Sequence, residues 1–150
     1  MSGRSLSRLL LVALAVGLGS PMAALAAAKT PAAGRTYVAG DCAGAAFKPR
    51  EVVLACGDAG LAATKMQWKQ WSSTRASGVG TGEEKVCTPN CANGRVAKGR
   101  MQLLLSQPRL CSQDGKRHFT KIRYTWPNGA PGEGPKQGTI PLPCSILSSR

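Results

Sequence analysis

The stretch His118-Phe-Thr-Lys-Ile-Arg-Tyr-Thr-Trp126 decides the fold. In it Ile122, Tyr124 and Trp126 fall on one parity, and Lys121, Arg123 and Thr125 on the other. That period of two marks a strand with one buried face and one wet face. Upstream, Met101, Leu103 and Leu105 alternate in the same way. Downstream, 127–138 is dense in Gly and Pro and reads as a loop. Ile140, Leu142 and Cys144 then alternate with Pro141 and Pro143. Proline cannot donate to a ladder, so this piece is expected as an edge strand or an extended tail.

Earlier segments fit the same picture. Arg50-Glu-Val-Val-Leu-Ala-Cys56 is a β-branched run stopped by Gly57-Asp-Ala-Gly60, which predicts a buried strand and a tight turn. Leu61–Trp71 is ambiguous. Met66 and Trp68 alternate, whereas Trp68 and Trp71 are three apart and could share a helix face. Gly and Ser crowd both sides, which favours a strand with a bend, and 72–82 is too rich in Gly and Ser for a stable helix. Together these elements predict an all-β, small disulfide-bonded, sandwich-like antiparallel domain.

The amino terminus predicts export. Arg4 and Arg8 precede the apolar run Leu9–Leu18, Ser20-Pro21 breaks it, and Ala24-Leu25-Ala26 supplies a small-x-small cleavage pattern. Residues 1–26 are therefore expected as a signal peptide cleaved near Ala26, with Ala28 as the alternative. The apolar run falls short of the roughly 20 residues a membrane-spanning helix needs, and no later segment is long enough. Residues 27–36 read as a flexible spacer and 37–150 as a single domain. Removing 26 of the 150 residues leaves 124, and losing two of the 20 basic residues takes the formal net charge from +13 to +11. A field of that sign attracts anionic polymers over about 8–10 Å at ordinary ionic strength.

Export sets the cysteine chemistry. Cys42, Cys56, Cys87, Cys91, Cys111 and Cys144 all follow the leader, and an even number in a short exported chain reads as three disulfides. Six cysteines allow about 15 connectivities, and spacing does not choose among them. Cys87-Thr-Pro-Asn-Cys91 could close a small loop of its own, or each cysteine could pair elsewhere. A metal site would need four ligands, with His118 as the only histidine, so no metal is expected. Bridged sulfurs also exclude a thiolate nucleophile.

Other candidates for chemistry are thin. Gly78-Val-Gly-Thr-Gly82 lacks the Gly-Lys-Ser/Thr ending of a phosphate loop and misses the dinucleotide spacing. Close backbone packing in a strand or turn is its expected role, and no cofactor is implied. His118 has no evident acidic orienter among seven scattered carboxylates and is expected as a half-exposed packing residue. The inventory argues against an enzyme. The basic residues Lys116, Arg117, Lys121 and Arg123, with Arg109 nearby, are expected on or beside the wet face of one strand, and Lys65 and Lys69 flank Met66–Trp68. They are candidate contacts for anionic cell-envelope polymer. Trp68 and Trp71 are expected in the core rather than as a stacking platform. Nucleic acid is the weakest match for an exported chain with few aromatics.

One combination is specific. Val53-Leu-Ala-Cys-Gly-Asp-Ala-Gly60, Trp68-x-x-Trp71, Ala76-x-Gly78-x-Gly80 and Cys87-x-Pro89-x-Cys91-Ala92-x-Gly94 together resemble an uncharacterised family of small secreted actinobacterial proteins. The resemblance covers residues 47–125 and implies export and a β-rich domain. It transfers no activity. The expected function is thus a secreted, extracytoplasmic, non-enzymatic protein that binds anionic cell-envelope polymer. The alternative is an inhibitor of a secreted hydrolase that presents Thr88-Pro89-Asn90 on a disulfide-braced loop to that partner protein. A minor alternative is a glycan-cleaving enzyme using Asp58.

Overall fold

The computed structural model describes residues 34–58 and 60–148. The expected signal peptide, its cleavage near Ala26 and the spacer as far as residue 33 lie outside these residues. The described chain forms β1 (Thr36–Ala39), β2 (Ala45–Ala46), β3 (Val52–Val53), β4 (Leu61–Trp71), β5 (Ala76–Val86), β6 (Arg95–Cys111), β7 (Lys116–Thr125) and β8 (Gln137–Pro141). A short 3-10 turn, Cys144–Ser148, follows. The protein is an all-β, disulfide-bonded domain built on one curled sheet, in the order β2-β1-β7-β6-β5-β4-β3. Consecutive long strands pair antiparallel. Only β1 runs parallel to its neighbour, taking Arg117 and His118 of β7, while β8 takes Lys121–Thr125 on the same edge.

The curl brings the two ends of the sheet together. Val53 N donates to Gly40 O at 2.7 Å. Trp71 Nε1 donates to Thr36 O at 2.9 Å, and Thr36 Oγ1 donates to Ser73 O at 3.0 Å. The Cys42–Cys56 disulfide clasps the same seam. The inner faces therefore pack against each other as the layers of a sandwich do, but from one continuous sheet. The core they enclose holds Val38, Val52, Ala63, Met66, Met101, Leu103, Leu105, Phe119, Ile122, Tyr124 and Trp126.

Strict alternation is broken in two strands, and each has a visible cause. In β4, Lys65 adopts φ +52°, and the register with β5 shifts between Thr64 and Gln67 and again between Trp68 and Gln70. Each bulge moves the buried parity by one. Ala63, Met66, Trp68 and Trp71 consequently all pack on the core, which resolves the three-residue spacing of the tryptophans in favour of a bent strand. Their rings meet edge to face at 4.6 Å. In β7, Phe119 and Ile122 are both fully buried although three apart. Facing this break, Gln107 of β6 sits at φ +55° and its carbonyl accepts Thr120 Oγ1 at 2.7 Å.

The glycine run lies in β5, where backbone approach is the requirement. A Cβ at Gly80 would stand 2.5 Å from Thr64 O and 2.6 Å from Met66 Sδ, and one at Gly82 would run into the Trp126 ring. Glycine clears the room that the indole and thioether fill.

Two sequence expectations need correction. Arg50–Cys56 is not a full strand: only Val52 and Val53 pair, with Ala63 and Ala62. Leu54 N and Ala55 N both donate to Leu61 O, so the chain folds tightly back on β4 instead of extending. Thr36, assigned to the spacer, begins β1 and is 1% exposed, because its hydroxyl and carbonyl both bond across the seam. The last strand is at an edge as expected, although β8 starts at Gln137, inside the expected loop.

Candidate functional site

The wet face of the sheet is the outside of the curl. There Leu104 lies between Ser77 of β5 and Arg123 of β7, and Gln102 lies between Val79 and Thr125. Lys69 of β4 completes a groove of about 320 Å³ over these side chains. A second depression of about 340 Å³ continues past Arg123 along Gln137, Gly138 and Thr139 of β8. The floor is Val79 and Leu104; the walls are amide, hydroxyl and cationic groups. Among the described residues, neither Lys69 nor Arg123 has a carboxylate within ion-pair distance. The ion pairs of the sheet lie elsewhere, at Lys98–Glu83 (2.9 Å) and His118–Asp114 (2.8 Å). The hydrogen bond from Lys98, joined by the Lys98 charge and a bond from Thr64, holds the Glu83 carboxyl below its usual range against desolvation, the second-largest effect.

Of the four basic residues expected together, the structure brings Lys121 and Arg123 to this face. The parity break in β7 separates them from the other two. Lys116 lies beyond it and sets its Nζ 5.3 Å from the centre of the Tyr37 ring, and Arg117 is exposed at the strand end opposite Leu110. Lys69 joins Arg123 because β4, β5, β6 and β7 are successive strands, a proximity that spans 54 residues of sequence. Trp68 and Trp71 offer no platform here. Both face the core, with Trp68 Nε1 donating to Pro49 O at 2.8 Å.

His118 is 3% exposed rather than half-exposed. The turn before β7 returns Asp114 to it, and His118 Nε2 meets Asp114 Oδ2 at 2.8 Å, while Lys116 N donates to Asp114 Oδ1 at 3.0 Å. Burial works against the charged carboxyl, but these two hydrogen bonds together with the charges of His118 and Lys116 outweigh it and keep Asp114 below its usual range. The imidazole is closed off, whereas Asp114 is exposed. Nε2 is occupied, and Nδ1 is buried without a partner among the described residues. This Asp–His pair was missed in the sequence; the signal was Asp114-Gly115, an Asx-turn pattern just ahead of the strand.

No family model matches the chain, and no curated protein or solved structure does either. The remaining site geometry therefore rests on its own residues. The cysteines pair as Cys42–Cys56, Cys87–Cys91 and Cys111–Cys144, and none is free. Among the described residues no group of His, Cys, Asp and Glu is arranged to hold a metal ion, and no helix is long and apolar enough to cross a membrane. The Cys87–Cys91 bridge closes its own loop, with Thr88, Pro89 and Asn90 exposed. Thr88 Oγ1 donates to Glu133, which ties this loop to the 127–136 connection.

That connection also roofs a cavity of about 290 Å³ at one end of the curl, lined by Asp58, Leu61, Glu84, Tyr124, Trp126 and Gly134 among others. Glu84 shares its inward parity with Gly82 and Val86. Its Oε1 accepts Gly134 N at 2.5 Å, and its Oε2 is buried with no partner among the described residues. Desolvation, with a smaller contribution from the Glu84 charge, raises the Tyr124 phenol above its ordinary value. Asp58 stands exposed at the rim, its Oδ1 accepting Gly60 N at 2.9 Å.

Proposed function

We propose that the mature protein is an exported, non-enzymatic binding domain that docks phosphate- or carboxylate-rich cell-envelope polymer on the outer face of its sheet. The observation that carries this reading is the groove between Lys69 and Arg123, whose cations have no acidic partner among the described residues. Side-chain amides and hydroxyls of Gln102, Thr125, Ser77 and Thr139 flank those cations and suit a hydroxylated polymer backbone. Arginine presents a planar fork that matches phosphate and carboxylate oxygens in pairs. The excess of 20 basic over 7 acidic residues adds long-range attraction of the same sign. The three disulfides and the leader-like amino terminus support an extracytoplasmic setting.

Isolated cell envelopes test the reading directly. Wild-type mature protein is expected to be retained at low salt and released by a few hundred millimolar NaCl, because exposed charges are then screened within a few ångströms. Lys69→Ala and Arg123→Ala should each lower the salt needed for release, with unchanged thermal midpoints. Retention insensitive to salt and to both substitutions would refute the proposal.

A second reading draws on the Cys87–Cys91 loop. Its three exposed residues are braced by the bridge and by Glu133, the kind of preorganisation that lowers the entropic cost of entering a protease cleft. Inhibition of secreted serine or metalloproteases at micromolar concentration, lost on Asn90→Ala, would establish it; no inhibition across such a panel counts against it.

A further inference from the structure

We propose that the cavity beneath the 127–136 connection binds a compact organic cation, a primary ammonium carried on an aliphatic stem. Three independent features converge on it. Asp58 and Glu84, two of only seven carboxylates in a chain with 20 Lys and Arg, line one cavity, and neither is ion-paired among the described residues. Lys85 also lines the cavity, yet among the described residues it forms no ion pair with either acid. Tyr124 is 6% exposed and lines the same cavity, and its hydroxyl has no hydrogen-bond partner among the described residues. The Glu84 carboxylate is held in place from the roof. Gly134 N binds Oε1, and a Cβ at Gly134 would stand 2.6 Å from Oε1 while one at Gly132 would stand 2.8 Å from Cδ, so the roof closes on the carboxylate through glycines. Its Oε2 is buried and has no donor among the described residues.

The chemistry of that lining selects the ligand. Glu84 and Asp58 accept hydrogen bonds and carry negative charge, so a donor cation satisfies them and an anion does not. An ammonium offers three N–H donors, enough for a carboxylate, a phenol and water. Leu61 and Trp126 form the apolar wall along which methylene groups can lie, and an aromatic ring also attracts a nearby cation. The volume of about 290 Å³ sits at the small end for ligand cavities, which suits a stem of a few carbons and excludes bulky cations.

Titration of the disulfide-intact mature protein with n-pentylammonium chloride, followed by amide and indole NMR, tests the assignment. Saturable shifts are expected at Gly60, Gly134 and the Trp126 indole, and none with sodium pentanoate or n-pentanol at equal concentration. Glu84→Gln keeps an acceptor for Gly134 N but removes the charge, and should weaken n-pentylammonium by about tenfold or more, the value of one charge-assisted hydrogen bond. Tyr124→Phe and Asp58→Asn should each weaken it by a smaller factor. Should Glu84→Gln fail to fold, the exposed Asp58→Asn and the isosteric Tyr124→Phe decide the matter. Wild-type shifts that do not saturate, equal response to pentanoate, or binding unchanged in every folded variant would overturn the proposal.

Discussion

Gly82→Ala is the sharpest test of how this sheet is built. Gly82 lies in β5, paired on one side with Ala63 of β4 and on the other with Gly99 of β6, so its backbone is fixed by ladders on both edges. An added methyl would overlap Cη2 and Cζ3 of Trp126 and stand 2.7 Å from Met101 Cε. Methionine can swing aside, but Trp126 is 1% exposed and its N–H ladder partner, Lys136 O, anchors the chain at that residue. Overpacking of a closed core costs about 1–3 kcal/mol, and a clash with a rigid ring belongs at the top of that range. Alanine recovers about 0.5 kcal/mol of backbone entropy relative to glycine, leaving a net loss of about 2.5 kcal/mol. For roughly 115 ordered residues, unfolding entropy near 2.1 cal/mol/K per residue converts this to a fall of about 10 °C in Tm. Differential scanning calorimetry of the oxidised protein reads it. Gly57→Ala is the control, since nothing lies within 4 Å of a Cβ there. Gly82→Ala in combination with Trp126→Phe should cost less than the sum of the two single changes, because the smaller ring vacates the contested space. A Gly82→Ala protein as stable as Gly57→Ala would refute the idea that glycine stands in β5 to seat the indole.

The disulfides should rank by the loop each closes. Separations of 4, 14 and 33 residues predict losses of about 2, 3 and 4 kcal/mol for paired Cys→Ala changes at Cys87–Cys91, Cys42–Cys56 and Cys111–Cys144, measured by urea denaturation. A reversed order would show that native contacts at the seam outweigh chain entropy. Asp114→Asn should cost about 1–2 kcal/mol at neutral pH through the weakened His118 contact. The Asp114 carboxyl lies below its usual value of 3.8 in the folded protein, so its stabilisation is complete above that value and disappears as pH falls through the lower folded value. Stability curves of wild type and Asp114→Asn should therefore converge in acid and separate above about pH 4; a constant gap would contradict the linkage.

How much of this could be read in advance depends on how local the cause was. Ile122, Tyr124 and Trp126 announce their face because that half of β7 is regular and its partner β6 presents Leu103 and Leu105 opposite. Phe119 does not, because the parity change beside it is set by the φ of Gln107, on another strand. The same holds for Met66 and Trp68: facing inward together with Ala63 and Trp71 requires two bulges in β4, and nothing in Lys65 or Gln70 marks them. For the candidate groove, Arg123 was legible as an outward cation of a half-buried strand. Lys69 was visible only as a neighbour of Trp68, since its approach to Arg123 depends on the order of four strands. Glu84 was hidden more deeply. It lies in a polar stretch beside Glu83, and only the β5 parity, odd outward and even inward, separates the surface ion pair of Glu83 from the cavity carboxylate. Cysteine count foretold three bridges, whereas their pairing required the fold: only the closing seam brings Cys42 to Cys56, and only the return past β8 brings Cys144 to Cys111.

Salt separates the two proposed binding sites by sign. Outer-face docking joins a cationic surface to a polyanion, so raising NaCl removes attraction and must weaken it. The cavity sits in a protein whose net positive field repels cations at a distance, while Glu84 and Tyr124 act on a bound ammonium at contact range inside a partly enclosed space. Added salt screens the long-range repulsion more than the short-range attraction, because screening grows with separation over about 8–10 Å near physiological ionic strength. Between 20 and about 150 mM NaCl the affinity for n-pentylammonium should therefore hold or rise while retention on envelopes falls. A parallel fall in both would mean that the ammonium is held by diffuse surface charge, and the cavity would lose its claim as a site. Opposite trends would instead place two electrostatically opposed surfaces on one small domain, the cationic one outside the curl and the anionic one beneath its roof.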